Sequence, residues 1–503
     1  MSQRLPTLCA LTALDLSHNC LEDEGVSAVC KAIQSNKKTK FASLNFKNNF
    51  IGPGGANAVA AMVAVTGALT SVDLSRNRLT EYYRDMTGIK ELAAALGVNG
   101  ALTSIELRGN ELGDEGWGAI FAAICGNKDS KIMSMDMSNE DICPAGVKLI
   151  AEALRTSVTG GLTALDLSRN HLKDESVSAV CEAIQSNKET KLASLNMSEI
   201  CMGPVGAKSV AAMVAVTGGL TSLNLSDNQL CGLDRYGRGT YTVEGITAIA
   251  DALCVNGTLT SLDLSNNALS GVGQDLFGRV SGTYTAEGIT AIMDSLRVNG
   301  ALTSVKLRGN KLGDEGWGAI FAAICGNKDS KIMSLDASSE NIGSAGVKLI
   351  AEALRTSVTG ALTALNLSSN NIGGHWDSSK RQMVSTPKGP KAIADALLVN
   401  GGVTVTNLLC NMLDLKSAMM LAEVAKQKGI SLCGIQQDQT TADFSCQGLE
   451  PPDAILLAWD LSQAVVTGTL TECNLQYNPR IGEEGEDLIR IAMQGKAGFK
   501  LRI

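Results

Sequence analysis

The feature that most narrows the fold is a spacing. In Leu162 to Leu172, LTALDLSRNHL, the apolar residues Leu162, Leu165, Leu167 and Leu172 stand at fixed intervals with Asn170 between the last two. The same intervals return at Leu11-Leu14-Leu16-Asn19-Leu21, at Leu220-Leu223-Leu225-Asn228-Leu230 and at Leu259-Leu262-Leu264-Asn267-Leu269. A repeat of this kind overrides the ordinary expectation that a chain of 503 residues divides into several independent globules.

The unit has a physical reading. Alternation in Leu165-Asp166-Leu167 is that of a strand, so the two leucines point one way while Ala164, Asp166 and Ser168 point the other. One such strand cannot bury its leucines, but stacked copies cover each other's apolar edges and pair in a parallel ladder. Asn170 falls where the chain leaves the strand, and its amide can satisfy backbone groups that the turn exposes, which predicts a ladder of asparagines along the stack. Strand units begin near Leu11, Phe41, Leu69, Leu102, Ile132, Leu162, Leu192, Leu220, Leu259, Leu302, Ile332, Leu362 and Val403, with weaker ones near Gln439 and Leu470. Starts mostly lie about 28 to 30 residues apart, which leaves room for a helix in every repeat. Between Asp174 and Ile184, Val177, Val180, Cys181 and Ile184 share one helical face.

Repeats of the form LxxLxLxxNxL followed by a glycine-containing helix, as in DEGVSAVCKAIQSN, resemble the ribonuclease-inhibitor-like class of leucine-rich repeat proteins. The resemblance spans nearly the whole chain. It implies an α/β leucine-rich repeat solenoid, a horseshoe with parallel strands on the concave face and helices on the convex face. For function it implies a range: enzyme inhibitors, GTPase activators, sensor regions of immune receptors and assembly subunits. At three repeats the asparagine position holds Glu140, Ile200 and Glu340, which puts the ladder in question there. Long near-identical tracts link residues 101 to 170 with 301 to 370, and residues 11 to 77 resemble 162 to 228, so block copying explains much of the internal agreement.

Composition excludes several classes. A formal charge of −8 argues against a nucleic-acid backbone as main partner. Three histidines and no Cys-x-x-Cys pair leave no metal site in prospect. Cys30, Cys125, Cys181 and Cys325 recur at equivalent helical positions and read as small buried hydrophobes in a reducing, cytoplasmic compartment. No apolar run suggests a signal peptide at the N-terminus or a membrane span.

Four insertions follow the strand turn, near 80–88, 231–243, 270–286 and 373–391, so all are expected to project from one rim. They carry Tyr82, Tyr83, Arg84, Tyr236, Arg238, Tyr241, Phe277, Tyr284 and Trp376, residue types enriched at protein-binding hot spots. The alternative is that the aromatics fold back over the repeats beneath. A second candidate surface is the row of outward residues on the strands, in which Asp73, Glu106, Asp136, Asp166 and Asp263 would focus negative potential. Its alternative is structural, with the same side chains hydrogen-bonding along the stack.

No motif points to catalysis or a cofactor. Trp117 shares a helical face with Ile120, Phe121 and Ile124, which predicts core packing. Gly52 to Gly55 and Gly113 to Gly118 lack the ending of a phosphate-binding loop and read as turn and helix-entry glycines. His18, His171 and His375 have no repeating Ser, Cys or carboxylate partners.

The domain expectation is a solenoid over 1–413 and irregular repeats with a cap over 414–503, continuous with it. The first strand starts within about ten residues of Met1, too few for a capping unit; either the protein is longer or this uncapped N-terminal edge docks on a partner. Phe499 to Ile503 alternates as a last strand with Lys500 and Arg502 outward. The functional expectation is a non-catalytic protein-binding scaffold or assembly subunit. Its alternatives are an activator of a small GTPase, with Arg76 or Arg78 presented to nucleotide, and an immune-type sensor region.

Overall fold

A computed structural model describes residues 11–36, 40–274, 279–377, 379–463, 468–494, 496 and 498–503. It divides into two compact units, Met1–Leu230 and Cys231–Ile503.

In the first unit strand and helix alternate without exception: β1 (Ala13–Asp15), α1 (Glu22–Ser35), β2 (Ser43–Asn45), α2 (Pro53–Val63), β3 (Ser71–Asp73), α3 (Thr87–Leu96), β4 (Ser104–Glu106), α4 (Gly113–Gly126), β5 (Ser134–Asp136), α5 (Pro144–Arg155), β6 (Ala164–Asp166), α6 (Lys173–Ser186), β7 (Ser194–Asn196), α7 (Pro204–Val216) and β8 (Ser222–Asn224). Strands β1 to β4 pair in order and parallel, as do β5 to β8. Each helix packs on the next.

The second unit continues with α8 (Glu244–Val255), β9 (Ser261–Asp263), β10 (Val272–Gln274), β11 (Val280–Gly282), α9 (Glu287–Leu296), β12 (Ser304–Lys306), α10 (Gly313–Gly326), β13 (Ser334–Asp336), α11 (Ser344–Arg355) and β14 (Ala364–Asn366). There follow β15 (Gly374–Asp377), β16 (Gln382–Ser385), α12 (Lys388–Val399), β17 (Val405–Asn407), α13 (Leu415–Lys428), β18 (Thr441–Asp443), α14 (Pro451–Ser462), β19 (Glu472–Asn474), α15 (Gly482–Ala492) and β20 (Lys500–Arg502). Strands β9, β12, β13, β14 and β17 form one parallel set, and β18, β19 and β20 another. Two of the insertions build antiparallel hairpins of their own, β10–β11 and β15–β16.

The leucines behave as the spacing requires. Leu165, Leu167 and Leu172 are buried, and so are their counterparts Leu223, Leu225 and Leu230. Each such burial contributes roughly 1.5–3 kcal/mol against the chain entropy lost on ordering. Trp117 and Trp317 are fully buried, as predicted.

The asparagine ladder is present. Asn77 Oδ1 accepts from the N–H groups of Asn49 and Ile51, while its Nδ2 donates to Phe46 O and Leu74 O. Ile200 supplies no side-chain acceptor, but the two glutamates join the ladder in a different way. Glu140 Oε1 accepts from Gly109 N at 2.6 Å and Oε2 from the Trp117 indole at 3.3 Å; Glu340 repeats this with Gly309 and Trp317 at 2.7 and 3.3 Å. In a regular repeat the equivalent N–H finds backbone, as Arg169 N donates to Ser198 O. Taking that donor with a side chain coincides with thinner strand pairing: β4 and β5 fall in different sheets, and β12 meets β13 at a single pair, Ser304 and Ser334.

A second asparagine ladder closes the helix C-termini. Asn127 Nδ2 donates to Leu96 O and Asn99 O, Asn187 to Leu154 O and Ser157 O, and Asn327 to Leu296 O and Asn299 O. These bonds satisfy carbonyls that the ends of the preceding helices leave orphaned. At the opposite helix ends, Asp23, Asp114, Asp174 and Asp314 each accept the N–H of the next helix's N-cap, at 2.6, 2.9, 2.6 and 2.7 Å. A Cβ on Gly55 would stand 2.8 Å from Asp23 Oδ1, which explains the glycines at these entries.

Candidate functional site

Four carboxylates of the outward row on the strands are engaged in local hydrogen bonds. Asp73, Asp136, Asp166 and Asp263 each turn Oδ1 back to accept the N–H two residues on, from Ser75, Ser138, Ser168 and Ser265, at 2.8 to 3.0 Å. That bond closes the strand and is why Asp or Asn is favoured there. Glu106 is too long for it and sits between Asp73 and Asp136 on neighbouring strands. Burial, and then those two carboxylates, raise its pKa above the ordinary glutamate value.

The insertions present a different chemistry. In the first unit Thr80 is buried and donates to Glu111 O at 2.8 Å, and accepts from Tyr83 N. Glu81, Tyr82 and Tyr83 follow with φ of +44°, +60° and +67°. Three successive left-handed residues other than glycine cost roughly 1–2 kcal/mol each, and the bonds to Thr80 hold them. Tyr82 and Tyr83 are both exposed. The Arg78 guanidinium lies over two rings, 4.8 Å from the Phe50 centroid and 5.8 Å from that of Tyr82. Beneath it an open hollow of about 560 Å³ is lined by Glu22, Asp23, Glu24, Phe50, Gly52, Arg78 and Glu81. Arg84 is exposed on the same loop.

In the second unit residues 231–243 and 270–286 lie against one another. Gln274 N donates to Arg235 O at 3.0 Å, and Ser281 Oγ donates to Tyr236 O. Gly273 makes this approach, since a Cβ there would stand 2.1 Å from Gly237 N. Arg235 and Arg238 hold their guanidiniums 5.1 and 5.0 Å from the centre of the Tyr236 ring, and Arg238 pairs with Asp234 at 2.8 Å. Tyr241 and Tyr284 have duties inside the chain: their hydroxyls donate to Leu269 O at 3.2 Å and to Leu312 O at 3.0 Å, each the last motif leucine of the next repeat. Partial burial pushes Tyr241 up to about 12 and raises Tyr284. Phe277 lies outside the described residues.

The hairpin β15–β16 places Trp376 directly opposite Met383, and both are exposed, Trp376 at 56%. Lys380 pairs with Asp377 at 3.3 Å near the tip, where Arg381 adopts φ +49°. Ser385 anchors the base through Asp414 at 2.8 Å.

Buried carboxylates also fix the C-terminal repeats. Asp453 accepts from Cys410 N at 2.8 Å, and Asp460 accepts from Ser431 Oγ, Leu432 N and Cys433 N at 2.6 to 2.9 Å. Burial pushes both up to about 6 against those donors. Composition did not reveal these anchors, although their seven-residue separation on α14 puts them on one helical face.

Among the described residues no group of three or more His, Cys, Asp and Glu could hold a metal ion, and no helix is long and apolar enough to cross a membrane.

A leucine-rich repeat model matches six segments: residues 7–30, 101–121, 162–181, 255–273, 301–321 and 362–374. The chain is a leucine-rich repeat protein. Solved structures similar to this leucine-rich repeat protein include the leiomodin-1 actin-binding site 2, at 19% identity over 42% of this chain and 88% of that one, with TM-score 0.25. The tropomodulin C-terminal domain of Caenorhabditis elegans shares 12% identity over 42% and 92%, with TM-score 0.24. The yeast Rad7 and Elc1 complex shares 16% over 82% and 88%, with TM-score 0.35. No curated protein matches the chain.

Proposed function

We propose that this leucine-rich repeat protein is a non-catalytic protein-binding scaffold or a subunit of a larger assembly, of the ribonuclease-inhibitor-like class. The observation that carries the reading is the set of exposed side chains Tyr82, Tyr83, Arg84, Arg238 and Trp376, with the half-buried Tyr236, on loops held down by hydrogen bonds. A loop ordered beforehand loses little entropy on binding, so its contacts count more fully toward affinity. Tyr241 and Tyr284 contribute by fixing their loops. Asp73, Glu106, Asp136, Asp166 and Asp263 contribute charge that steers a basic surface rather than direct contacts.

Residues 414–503 continue the solenoid as irregular repeats. Thr406 N and Leu408 N donate to Ser431 O and Leu432 O, and the Asp453 and Asp460 bonds support the same continuity. Burial of Cys30, Cys125, Cys181 and Cys325, which pushes their thiols up to about 11 or 12, supports a reducing compartment such as the cytoplasm.

Crosslinking in native extract with mass spectrometry tests the scaffold reading. Crosslinks to other proteins should concentrate at 80–88, 231–243 and 373–391. An even scatter over the helical surface would remove it.

A further inference from the structure

The first unit closes the seams between the C-terminal ends of neighbouring helices in two ways, and the seam from α6 to α7 uses neither. Where a helix is followed by asparagine, the amide donates to carbonyls that end the helix before it, as Asn127 does to Leu96 O and Asn187 to Leu154 O. After α5 a longer loop crosses the seam instead. Val158 N donates to Cys125 O at 3.0 Å, Ser157 Oγ donates to the same carbonyl at 3.4 Å, and Thr159 Oγ1 donates to Ser130 O at 3.3 Å. Ser157 and Thr159 are buried while Val158 faces out, 55% exposed. The second unit repeats this, with Val358 N on Cys325 O at 2.9 Å and Thr359 Oγ1 on Ser330 O at 3.3 Å.

The stretch from Pro204 to Leu220 is two residues shorter than its counterpart from Pro144 to Leu162, and the Thr217 hydroxyl turns back to Met213 O of its own helix. A notch of about 380 Å³ is left, lined by Gln185, Lys188, Thr190, Met213, Val216 and Gly218 among others. Gln185 O and Thr190 O stand where Cys125 O and Ser130 O stand, yet among the described residues no loop donates to them. The Thr190 hydroxyl has no partner either, whereas Ser130 Oγ accepts from Ile132 N. Lys188 is exposed at the edge of the notch with no ion-pair partner among the described residues.

We infer that this notch is a docking slot for an extended segment of a partner protein, with Ser or Thr on each side of a small apolar residue and an acidic residue next to them. The central N–H meets Gln185 O, a hydroxyl meets Thr190 O and the carboxylate meets Lys188. The partner then supplies from outside what residues 157–159 supply to the α4–α5 seam. The slot lies at the helix C-termini, apart from the inserted loops, so it adds a second surface to the scaffold reading.

Fluorescence anisotropy tests it with a labelled peptide, Glu-Thr-Ser-Val-Thr-Gly-Glu, which sets the sequence of residues 156–160 between two glutamates. It should bind with Kd below about 0.5 mM. Alanine in place of the Ser and the second Thr of the peptide should weaken it at least about tenfold, two hydrogen bonds being lost. Lys188→Glu should weaken it about two- to fivefold. Inserting Val-Thr between Thr217 and Gly218 rebuilds the longer loop, so it should abolish peptide binding and raise the urea midpoint. Gly218→Leu is a second blocking variant that folds, since a Cβ there meets nothing within 4 Å and the backbone is not left-handed; it should weaken binding at least about tenfold. No binding up to about 0.5 mM chain, equal binding of the alanine peptide, or binding unchanged by both the insertion and Gly218→Leu overturns the inference. Self-association of the chain that the insertion abolishes overturns it in favour of a second copy. If the peptide fails to bind while crosslinks to other proteins still map to the inserted loops, this inference falls and the scaffold reading stands.

Discussion

Single residues decide where the stack departs from its own rule. Glu140 takes from Gly109 an N–H that regular repeats give to backbone and adds a bond to Trp117, so a buried carboxylate and a buried indole satisfy each other. Glu140→Ala should leave the buried Trp117 indole N–H unpaired and cost about 1–3 kcal/mol of stability in chemical denaturation, while Asn at the same position should recover part of the loss. Asp453 and Asp460 predict a pH effect. Both are pushed up to about 6, above their ordinary value in an unfolded chain. A raised acid pKa contributes stability that is fully present below the unfolded value near 4 and is lost as pH rises through the folded value. Urea midpoints of the C-terminal repeats, followed by Trp459 fluorescence, should therefore include a component that falls between about pH 4 and about pH 6. Asp453→Ala with Asp460→Ala should remove that component.

At the level of elements, the inserted loops are built rather than merely tolerated. Gly273 lets residues 270–274 press against Tyr236 and Gly237. Gly273→Ala should part the two loops and accelerate proteolysis within 231–243, with little change in the melting of the repeats beneath. Tyr241→Phe and Tyr284→Phe each remove one hydroxyl bond to a neighbouring repeat and should cost about 1 kcal/mol apiece. Composition alone placed those two tyrosines on the loops beside Tyr82 and Tyr236; only the structure shows that each hydroxyl is bonded to a neighbouring repeat, while Tyr284 stays exposed. The outward carboxylates of the strands follow the same pattern. Each accepts the backbone N–H two residues on, which any residue but proline can supply, so the recurring Asp or Asn is the part of the pattern that closes the strand.

For the molecule as a whole, the scaffold reading and the GTPase-activator alternative separate in one assay. Added to GTP-loaded small GTPases, the chain should leave phosphate release unchanged, because Arg78 is engaged with Phe50 and Tyr82. Acceleration that disappears in Arg78→Ala would replace the scaffold reading. The sequence by itself determined the repeat, its strand and helix, the buried leucines, the buried Trp117 and the sites of insertion, because each follows from periods of two and about 3.6 residues read locally. The second asparagine ladder was equally legible, recurring directly after the helices at Asn127, Asn187 and Asn327. Only the tertiary structure decided what the exceptions do. Whether Glu140 breaks or extends the ladder, whether Tyr241 faces out or in, and how Arg78 comes to lie over Phe50 depend on contacts between residues about 23 to 31 positions apart. Such contacts exist only once neighbouring repeats have stacked, and no local period encodes them.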